Sequence, residues 1–433
     1  MRSFFIHTYG CQMNARDSET LAGQLAALGF EPAARAEGAD VILFNTCCIR
    51  DHAAARVIGN VGALREAKHA RPGTIIGVCG CLMQMDDQAR KLMLRYPFVD
   101  FALCPQTIDR LPEAMAAAAV GERSMFLAAD APLCEGLPRL RTAGSSAFVN
   151  IMAGCDNYCS YCVVPFVRGR ERSRELPAVL EEVRGLVADG VREITLLGQN
   201  VNSYRGAGGF AGLLRAVAAV SGLARVRFMT SNPHDFSDDI IAAIADCPNI
   251  ARHVHLPVQS GADGVLRAMN RKYSGQDYLG RVAALRAAVP GIALTTDLIA
   301  GFPGESQAAH ENSLALLEQV GFDAAFVFLY SSRPGTAAAK MEGHLPQETI
   351  KARHAELLAL QERLTRARDA ALEGEVLPVL FERRDNRTGE YLTGKEHLRT
   401  VHAPGGDEHI GHIRPVRITR VGTHTLHGEI QQD

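Results

Sequence analysis

The sequence predicts an α/β chain in three parts: a small parallel α/β domain at residues 1–121, a partial (βα)6 barrel at 141–370, and an all-β barrel at 371–433. Three observations carry this. The first part repeats a short apolar run, a turn and an amphipathic helix; six further strand-and-helix repeats follow; and the last stretch holds short β-branched runs separated by Gly and turn residues. At 433 residues the chain has room for two or three domains.

In the first part, Phe4–Ile6, Val41–Phe44 and Thr74–Val78 read as buried parallel strands, with helical stretches at Ser18–Leu28 and Ala53–Ala70. Cys11, Cys47 and Cys81 each fall just past one of these strands. Loops at the carboxyl ends of parallel strands gather on one edge of a sheet, so three cysteines distant in sequence are expected to converge there. Leu137–Ser146, rich in Pro, Arg, Gly and Ser, reads as an interdomain linker.

The strands expected in the second part are Ala147–Met152, Glu193–Leu197, Arg225–Met229, His253–Pro257, Ala293–Ile299 and Ala325–Leu329. Six repeats suit an incomplete barrel rather than a closed one of eight. Polar and glycine-rich sequences follow the strands at Gly154–Cys162, Gly198–Asn202, Thr230–His234, Gln259–Gly261, Asp297–Glu305 and Tyr330–Thr336, the end where such barrels carry their chemistry. A charged helix from Pro346 to Leu372 leads to β-branched runs at Val376–Phe381, Arg414–Ile418 and His424–Ile430, which read as a small barrel.

Lys plus Arg (46) and Asp plus Glu (48) nearly cancel, so any nucleic-acid footprint must be local. The start, MRSFFIHTYG, lacks the pattern of a secretory leader, and no segment approaches the roughly 20 apolar residues that span a bilayer. A cytoplasmic protein with no membrane partner is expected. Eleven cysteines in a reducing compartment point to metal or redox chemistry rather than disulfides.

Cys155, Cys159 and Cys162 place three thiols in one short loop, with no fourth Cys or His nearby to close a structural zinc site. For a 4Fe-4S cluster the missing ligand leaves one iron free to bind a small molecule, and CxxxCxxC is the ligand spacing of radical S-adenosylmethionine enzymes. A thioredoxin-like pair at Cys159 and Cys162 would leave Cys155 unexplained. Spacing alone leaves Cys11, Cys47 and Cys81 open between a second cluster and ordinary buried cysteines, with Cys48 and Cys79 as competitors. Cys104, Cys134 and Cys247 read as structural.

The chain resembles the methylthiotransferase family along nearly its whole length. The resemblance lies in Tyr9-Gly10-Cys11-Gln12-Met13-Asn14, Asn45-Thr46-Cys47, Gly80-Cys81, and Gly154 to Cys162 continuing to Arg174. It continues in Leu197 to Asn202, His255 to Gly261, Asp297 to Glu305 and Tyr330 to Thr336. The resemblance implies that Cys11, Cys47 and Cys81 ligate an auxiliary 4Fe-4S cluster, choosing Cys47 over Cys48 and Cys81 over Cys79. It makes the second part a radical S-adenosylmethionine core and the tail a TRAM-like RNA-binding barrel, with Arg383, Arg384, Arg387 and Lys395 as phosphate contacts. One departure stands out: Thr230-Ser231-Asn232-Pro233-His234 has Asn where many relatives show His.

The activity implied is conversion of N6-isopentenyladenosine at position 37 of tRNA to its 2-methylthio derivative, using two 4Fe-4S clusters and S-adenosylmethionine. Gln12-Met13 and Val163-Val164-Pro165 resemble the isopentenyladenosine enzymes more than those acting on threonylcarbamoyladenosine or a ribosomal protein aspartate. Gln199, Gln259, Ser260 and Asp297 are expected to contact S-adenosylmethionine; the plainer reading has them satisfying nearby loop backbone. Arg168 and Arg333 are of a type that anchors a carboxylate or phosphate. Expected partners are the tRNA anticodon loop and an electron donor such as flavodoxin or ferredoxin, with a monomer as default. A reading from another class, a non-catalytic iron–sulfur RNA-binding protein, sits poorly with motifs at every strand end.

Overall fold

A computed structural model describes residues 2–48, 51–85, 87–128, 133–141, 144–385 and 389–431. The chain divides into two units: Met1–Ala143 with Met152–Tyr158 and Cys162–Arg172, and Gly144–Ile151 with Cys159–Tyr161 and Ser173–Asp433.

The first unit holds a parallel sheet of β1 (Arg2–Thr8), β2 (Phe30–Pro32), β3 (Val41–Thr46), β4 (Ile75–Gly80), β5 (Phe101–Leu103) and β6 (Ser124–Phe126), in the order β2-β1-β3-β4-β5-β6. Alternation along β3 divides its side chains between two cores. Val41 and Leu43 pack with Phe4, Leu21 and Phe101, whereas Ile42 and Phe44 pack with Ile76 and Val78 on the other face. Because β1, β3 and β4 are neighbours, their carboxyl ends lie side by side. The short strands β2, β5 and β6 show no period in the sequence and were not anticipated; β6 carries the sheet past residue 121.

The first helix runs Gln12–Ala27, starting well before the expected Ser18, because Cys11 forms its cap and Asn14 Oδ1 accepts from Cys11 N at 3.4 Å. The stretch expected as one helix at Ala53–Ala70 is two, Asp51–Ala63 and Arg65–Ala70. The stretch read as a linker is docked: Leu140 N donates to Glu19 O at 2.9 Å, and a Cβ on Gly23 would lie 2.3 Å from Pro138 O.

The two-residue strands β8 (Met152–Ala153) and β9 (Arg172–Ser173) flank the cysteine loop in sequence, and in the second unit β7 (Ser146–Asn150) begins an arc of strands. The arc continues with β10 (Glu193–Leu197), β11 (Arg225–Phe228), β12 (His253–His255), β13 (Ala293–Ala300) and β14 (Ala324–Leu329). Two three-stranded parallel sheets, β11-β10-β7 and β12-β13-β14, are joined by the parallel bridge Val226 to Ile250. The strands thus follow one another in chain order, and among the described residues β7 and β14 do not pair, so the barrel is open. Helix Gln347–Ala370 backs the last strands: His354 Nε2 lies 3.0 Å from Val327 O, and Gln361 Nε2 donates to Phe322 O at 3.0 Å. Among the described residues no helix is long and apolar enough to cross a membrane.

The tail is a closed barrel of β15 (Val376–Arg384), β16 (Tyr391–Lys395), β17 (Thr400–Pro404), β18 (Ile413–Val421) and β19 (Thr425–Ile430), ordered β15-β16-β17-β19-β18. Val379, Phe381, Leu392, Val401, Val416, Ile418 and Leu426 fill it. Strands β16 and β17 were not read from the sequence, being short and interrupted by Gly394 and His402.

This barrel is keyed to the amino-terminal ends of the arc strands. Arg225 Nη1 donates to the carbonyls of Lys395 (2.8 Å) and Glu396 (3.0 Å), its Nη2 to that of Pro378 (3.1 Å), and Arg227 donates to the carbonyls of Glu396 and His397. Glu193 compensates both arginines, Ser146 Oγ donates to Glu382 at 2.7 Å, and Arg252 N donates to His397 Nδ1 at 3.1 Å. Burial, helped by Arg227, holds His253 down to about 3, and burial holds His397 down to about 4. Both imidazoles are therefore neutral in the fold, and the unfolded chain takes up protons first as pH falls. Stability is complete above the unfolded value near 6.5 and is lost as pH falls below it. A loss of about 2 kcal/mol per imidazole between pH 7 and pH 5, about 4 kcal/mol for the two, is expected, and roughly half of it in His253→Gln; denaturant midpoints at the two pH values check this.

Candidate active site

The N-terminal cysteines are positioned by glycine and by asparagine. Gly10 and Gly80, just before Cys11 and Cys81, have φ of +124° and +99°. A Cβ on Gly10 would sit 2.6 Å from Cys47 Cβ, and one on Gly80 would sit 2.4 Å from Thr46 O. The three turns touch because two of them carry no side chain there. Asn14, fully buried, donates from Nδ2 to Asn45 Oδ1 (3.2 Å) and Thr46 O (3.0 Å), and Asn45 Nδ2 returns a bond to Asn14 O at 2.8 Å. Thr46 Oγ1 donates to Cys79 O at 2.6 Å. The turn carrying Cys11 is thereby tied to the ends of β3 and β4.

Cys79 lies within β4, in the core with Phe101 and Leu103, where burial pushes its thiol up. Cys81 opens the turn beyond the strand, on the other face. Cys48 is hydrogen-bonded to Cys81, which raises Cys48 and lowers Cys81, and the Arg168 guanidinium lowers Cys81 further against the effect of burial. Arg168 Nε donates to Cys81 Sγ at 3.2 Å and its Nη2 to Asp17 Oδ2 at 2.9 Å. Arg168 does anchor a carboxylate, and it is one of this chain's own.

In the cysteine loop, Gly154 has φ +77°, and a Cβ there would lie 2.0 Å from Arg170 O. Cys155 N donates to Gly169 O at 3.2 Å. Asn157 Nδ2 lies 3.5 Å from Cys155 Sγ, and Val164 N lies 3.5 Å from Cys162 Sγ. In the second unit, Arg271 Nη1 donates to Cys159 Sγ at 3.4 Å while its Nη2 donates to Pro257 O and its Nε to Tyr273 Oη, both at 2.8 Å. Ser160 is held through its backbone by Met269 O and Ala338 N. Among the described residues, no three Cys, His, Asp and Glu side chains are arranged to hold a single metal ion. N–H donors nonetheless face the sulfurs of Cys81, Cys155, Cys159 and Cys162, the environment that stabilises thiolates ligating an iron–sulfur cluster. The donor set fits that group.

Three of the expected cofactor contacts, Gln199, Gln259 and Ser260, lie beyond the carboxyl ends of β10 and β12; the fourth, Asp297, stands inside β13, which runs on to Ala300. Gln199 follows β10 and is half-buried. Gln259 adopts φ +72°, held by Gln259 N to Asp297 O (2.8 Å) and Ile299 N to Gln259 O (3.0 Å). Ser260 is buried, its hydroxyl accepting from Ala262 N at 3.2 Å and lying 3.5 Å from Ser313 Oγ. The Asp297 carboxylate is half-buried, 3.5 Å from His255 Nε2. Asn232 is buried and caps the turn Pro233–Asp235, accepting from His234 N at 3.2 Å, while Asn200 Oδ1 accepts from Asn232 N at 3.1 Å. Arg333 follows β14 and its carbonyl accepts from Thr336 N.

On the tail, Arg383 is exposed. Arg384 donates to Asp407 (2.9 Å) and to the carbonyls of Gly389 and Gly405, and Lys395 pairs with Glu382 at 3.2 Å. Arg387 lies outside the described residues. Cys104 accepts from Ala128 N at 3.3 Å, Cys134 is pushed up to about 11 by burial and Asp109, and Cys247 ends a helix.

Over 436 aligned residues the chain is 44% identical to the tRNA-2-methylthio-N(6)-dimethylallyladenosine synthase of Moorella thermoacetica, covering 99% of this chain and 98% of the relative. The chain belongs to the tRNA-2-methylthio-N(6)-dimethylallyladenosine synthase family. The Clostridium tetani member is 41% identical over 99% of this chain and 96% of its own length. Residues 3–104 match the Uncharacterized protein family UPF0004, and residues 149–317 match the Radical SAM superfamily. The solved structure of the radical S-adenosylmethionine methyltransferase TsrM from Kitasatospora setae superposes with a TM-score of 0.58 at 15% identity, covering 78% of this chain and 75% of that one, a likeness of fold. Like others of this synthase family, the chain is a radical S-adenosylmethionine enzyme whose cofactors are S-adenosylmethionine and 4Fe-4S clusters. Sequence reasoning passed over Arg271 and Asp17 and gave His255 no role of its own; only the fold brings Arg271 to Cys159 and Asp17 to Arg168.

Proposed function

We propose that this chain adds a methylthio group to carbon 2 of isopentenyladenosine beside the anticodon of tRNA, with one cluster on Cys155, Cys159 and Cys162 and another on Cys11, Cys47 and Cys81. Full-length identity above 40% to proteins named for that product carries the reading. When bound, the clusters and S-adenosylmethionine supply the radical that removes the carbon-2 hydrogen and the methylated sulfur that replaces it. The chain's residues fix the geometry. Gly154 lets the cysteine loop fold back on Arg170, Arg271 orients Cys159, and Gly10, Gly80 and Asn14 bring the N-terminal turns into contact.

In this reading Gln199 and Gln259, beyond the ends of β10 and β12, and Asp297, within β13, hold S-adenosylmethionine, with His255 beside the Asp297 carboxylate. Ser260 supports them by fixing the Gly261–Ala262 turn. The exposed Arg383 is the tail residue best free to meet phosphate, whereas Arg384 and Lys395 must exchange Asp407 and Glu382 for it. A cytoplasmic location and a flavodoxin- or ferredoxin-type electron donor complete the reading.

Anaerobic reconstitution with dithionite and S-adenosylmethionine tests the substrate, with isopentenyladenosine tRNA, threonylcarbamoyladenosine tRNA and a ribosomal protein peptide offered in parallel. Preferential methylthiolation of the first is expected; preference for either of the others would overturn the substrate assignment. Absence of 5′-deoxyadenosine with all three would return the protein to the non-catalytic class. In Gly80→Ala, the clash with Thr46 O is expected to empty the N-terminal site. Iron bound to a chain that also lacks Cys155, Cys159 and Cys162 should fall to background, as measured by colorimetric iron assay.

A further inference from the structure

We infer that Arg168 is a positioning residue that sets the reduction potential of the cluster on Cys11, Cys47 and Cys81, through a charge-assisted hydrogen bond to the Cys81 sulfur. This rests on the ligand set proposed above. Arg168 closes the short helix Val164–Arg168 that follows Cys162, and only 7% of it is exposed. Its Nε lies 3.2 Å from Cys81 Sγ and its Nη2 lies 2.9 Å from Asp17 Oδ2.

Both ends of this arrangement are fixed. Gln106 Nε2 donates to Val167 O at 2.9 Å, and Val163 and Val167 pack in the same core as Cys48 and Cys81. Asp17 belongs to the helix that begins at Gln12, directly after Cys11. A guanidinium removed from water is costly unless its charge is compensated and its N–H groups are bonded. Asp17 compensates the charge, and the Nε–H is directed at sulfur.

An N–H donor and a positive charge at a thiolate ligand favour the cluster state that holds one more electron, because hydrogen bonds to sulfur and local charge set such potentials. The arginine acts through Cys81 and touches no substrate. A lysine at this position would keep the charge, but as a compact point donor it could not span sulfur and carboxylate together. A second role would leave the same contacts: Arg168 could simply brace its helix against the sheet. The two roles separate on the potential.

The experiment uses the full chain with Cys155, Cys159 and Cys162 changed to Ala, so that only the N-terminal cluster loads. A mediator-controlled redox titration followed by electron paramagnetic resonance gives its midpoint in the parent, in R168K and in R168Q. In R168Q the midpoint is expected to move negative, so that the reduced-to-oxidised ratio at the parent's midpoint falls about tenfold, or about 59 mV for one electron. R168K should lie between, with iron content unchanged in all three. An unmoved midpoint in R168Q with full iron content would overturn the proposal and leave Arg168 a brace. Should R168Q fail to load iron, D17N decides: its guanidinium loses its counter-charge and the midpoint must move positive, and an unmoved midpoint there overturns the proposal as well. A parent chain that binds no iron would instead overturn the ligand set itself, and this inference with it.

Discussion

Changing Cys155 to Ala is expected to reduce 5′-deoxyadenosine formation from S-adenosylmethionine to the uncatalysed background while iron remains bound at the N-terminal cysteines. The loop that carries Cys155 has one backbone path, fixed by Gly154 at φ +77° and by the bond from Cys155 N to Gly169 O. No other Cys stands within the loop to replace the lost ligand. Two thiolates do not hold a cluster that needs three to leave one iron open. The reciprocal variant, Cys81→Ala, should keep 5′-deoxyadenosine formation and lose the methylthiolated nucleoside. Measuring both products in both variants separates the two sites. Loss of both products in each variant would mean that the sites do not load independently.

Changing Arg225 to Met is expected to cost about 3–5 kcal/mol, the range for removing one partner of a buried ion pair. Arg225 and Glu193 are 2% and 1% exposed. Without the guanidinium, Glu193 is left with its ion pair to Arg227, the carbonyls of Lys395 and Pro378 lose the Arg225 donor, and that of Glu396 falls back on Arg227. The tail barrel should then release from the arc strands and become open to proteolysis near Gly374, ahead of the arc itself. Urea denaturation and limited proteolysis, read together, check this. A loss below about 1 kcal/mol would show that the other contacts, such as Ser146 to Glu382, suffice.

The parts of the fold legible in the sequence are those with a clear period or a punctuating residue. The six arc strands appear at nearly their observed positions because each is an apolar run followed by polar, glycine-rich sequence, as in Glu193–Leu197 before Gly198. Strands of three residues, such as Phe101–Leu103, carry too little pattern to be seen. Cysteine spacing revealed the loop at 155–162, but the partners of those sulfurs were hidden. Arg271 stands 112 positions from Cys159, and Arg168 stands 87 from Cys81. Such contacts come from tertiary folding, which single-sequence periodicity does not encode. Asn232 shows the same limit: the sequence marks it as a departure from the His of many relatives, and the fold makes it a turn cap whose side chain accepts from His234 N.

Substrate and reaction are decided together by mass spectrometry of nucleosides from isopentenyladenosine tRNA, incubated anaerobically with the reconstituted protein, dithionite and S-adenosylmethionine carrying a deuterated methyl group. The expected result is a nucleoside in which one hydrogen is replaced by a methylthio group bearing that label, with 5′-deoxyadenosine formed alongside it. Formation of 5′-deoxyadenosine with the nucleoside unchanged in mass would contradict it.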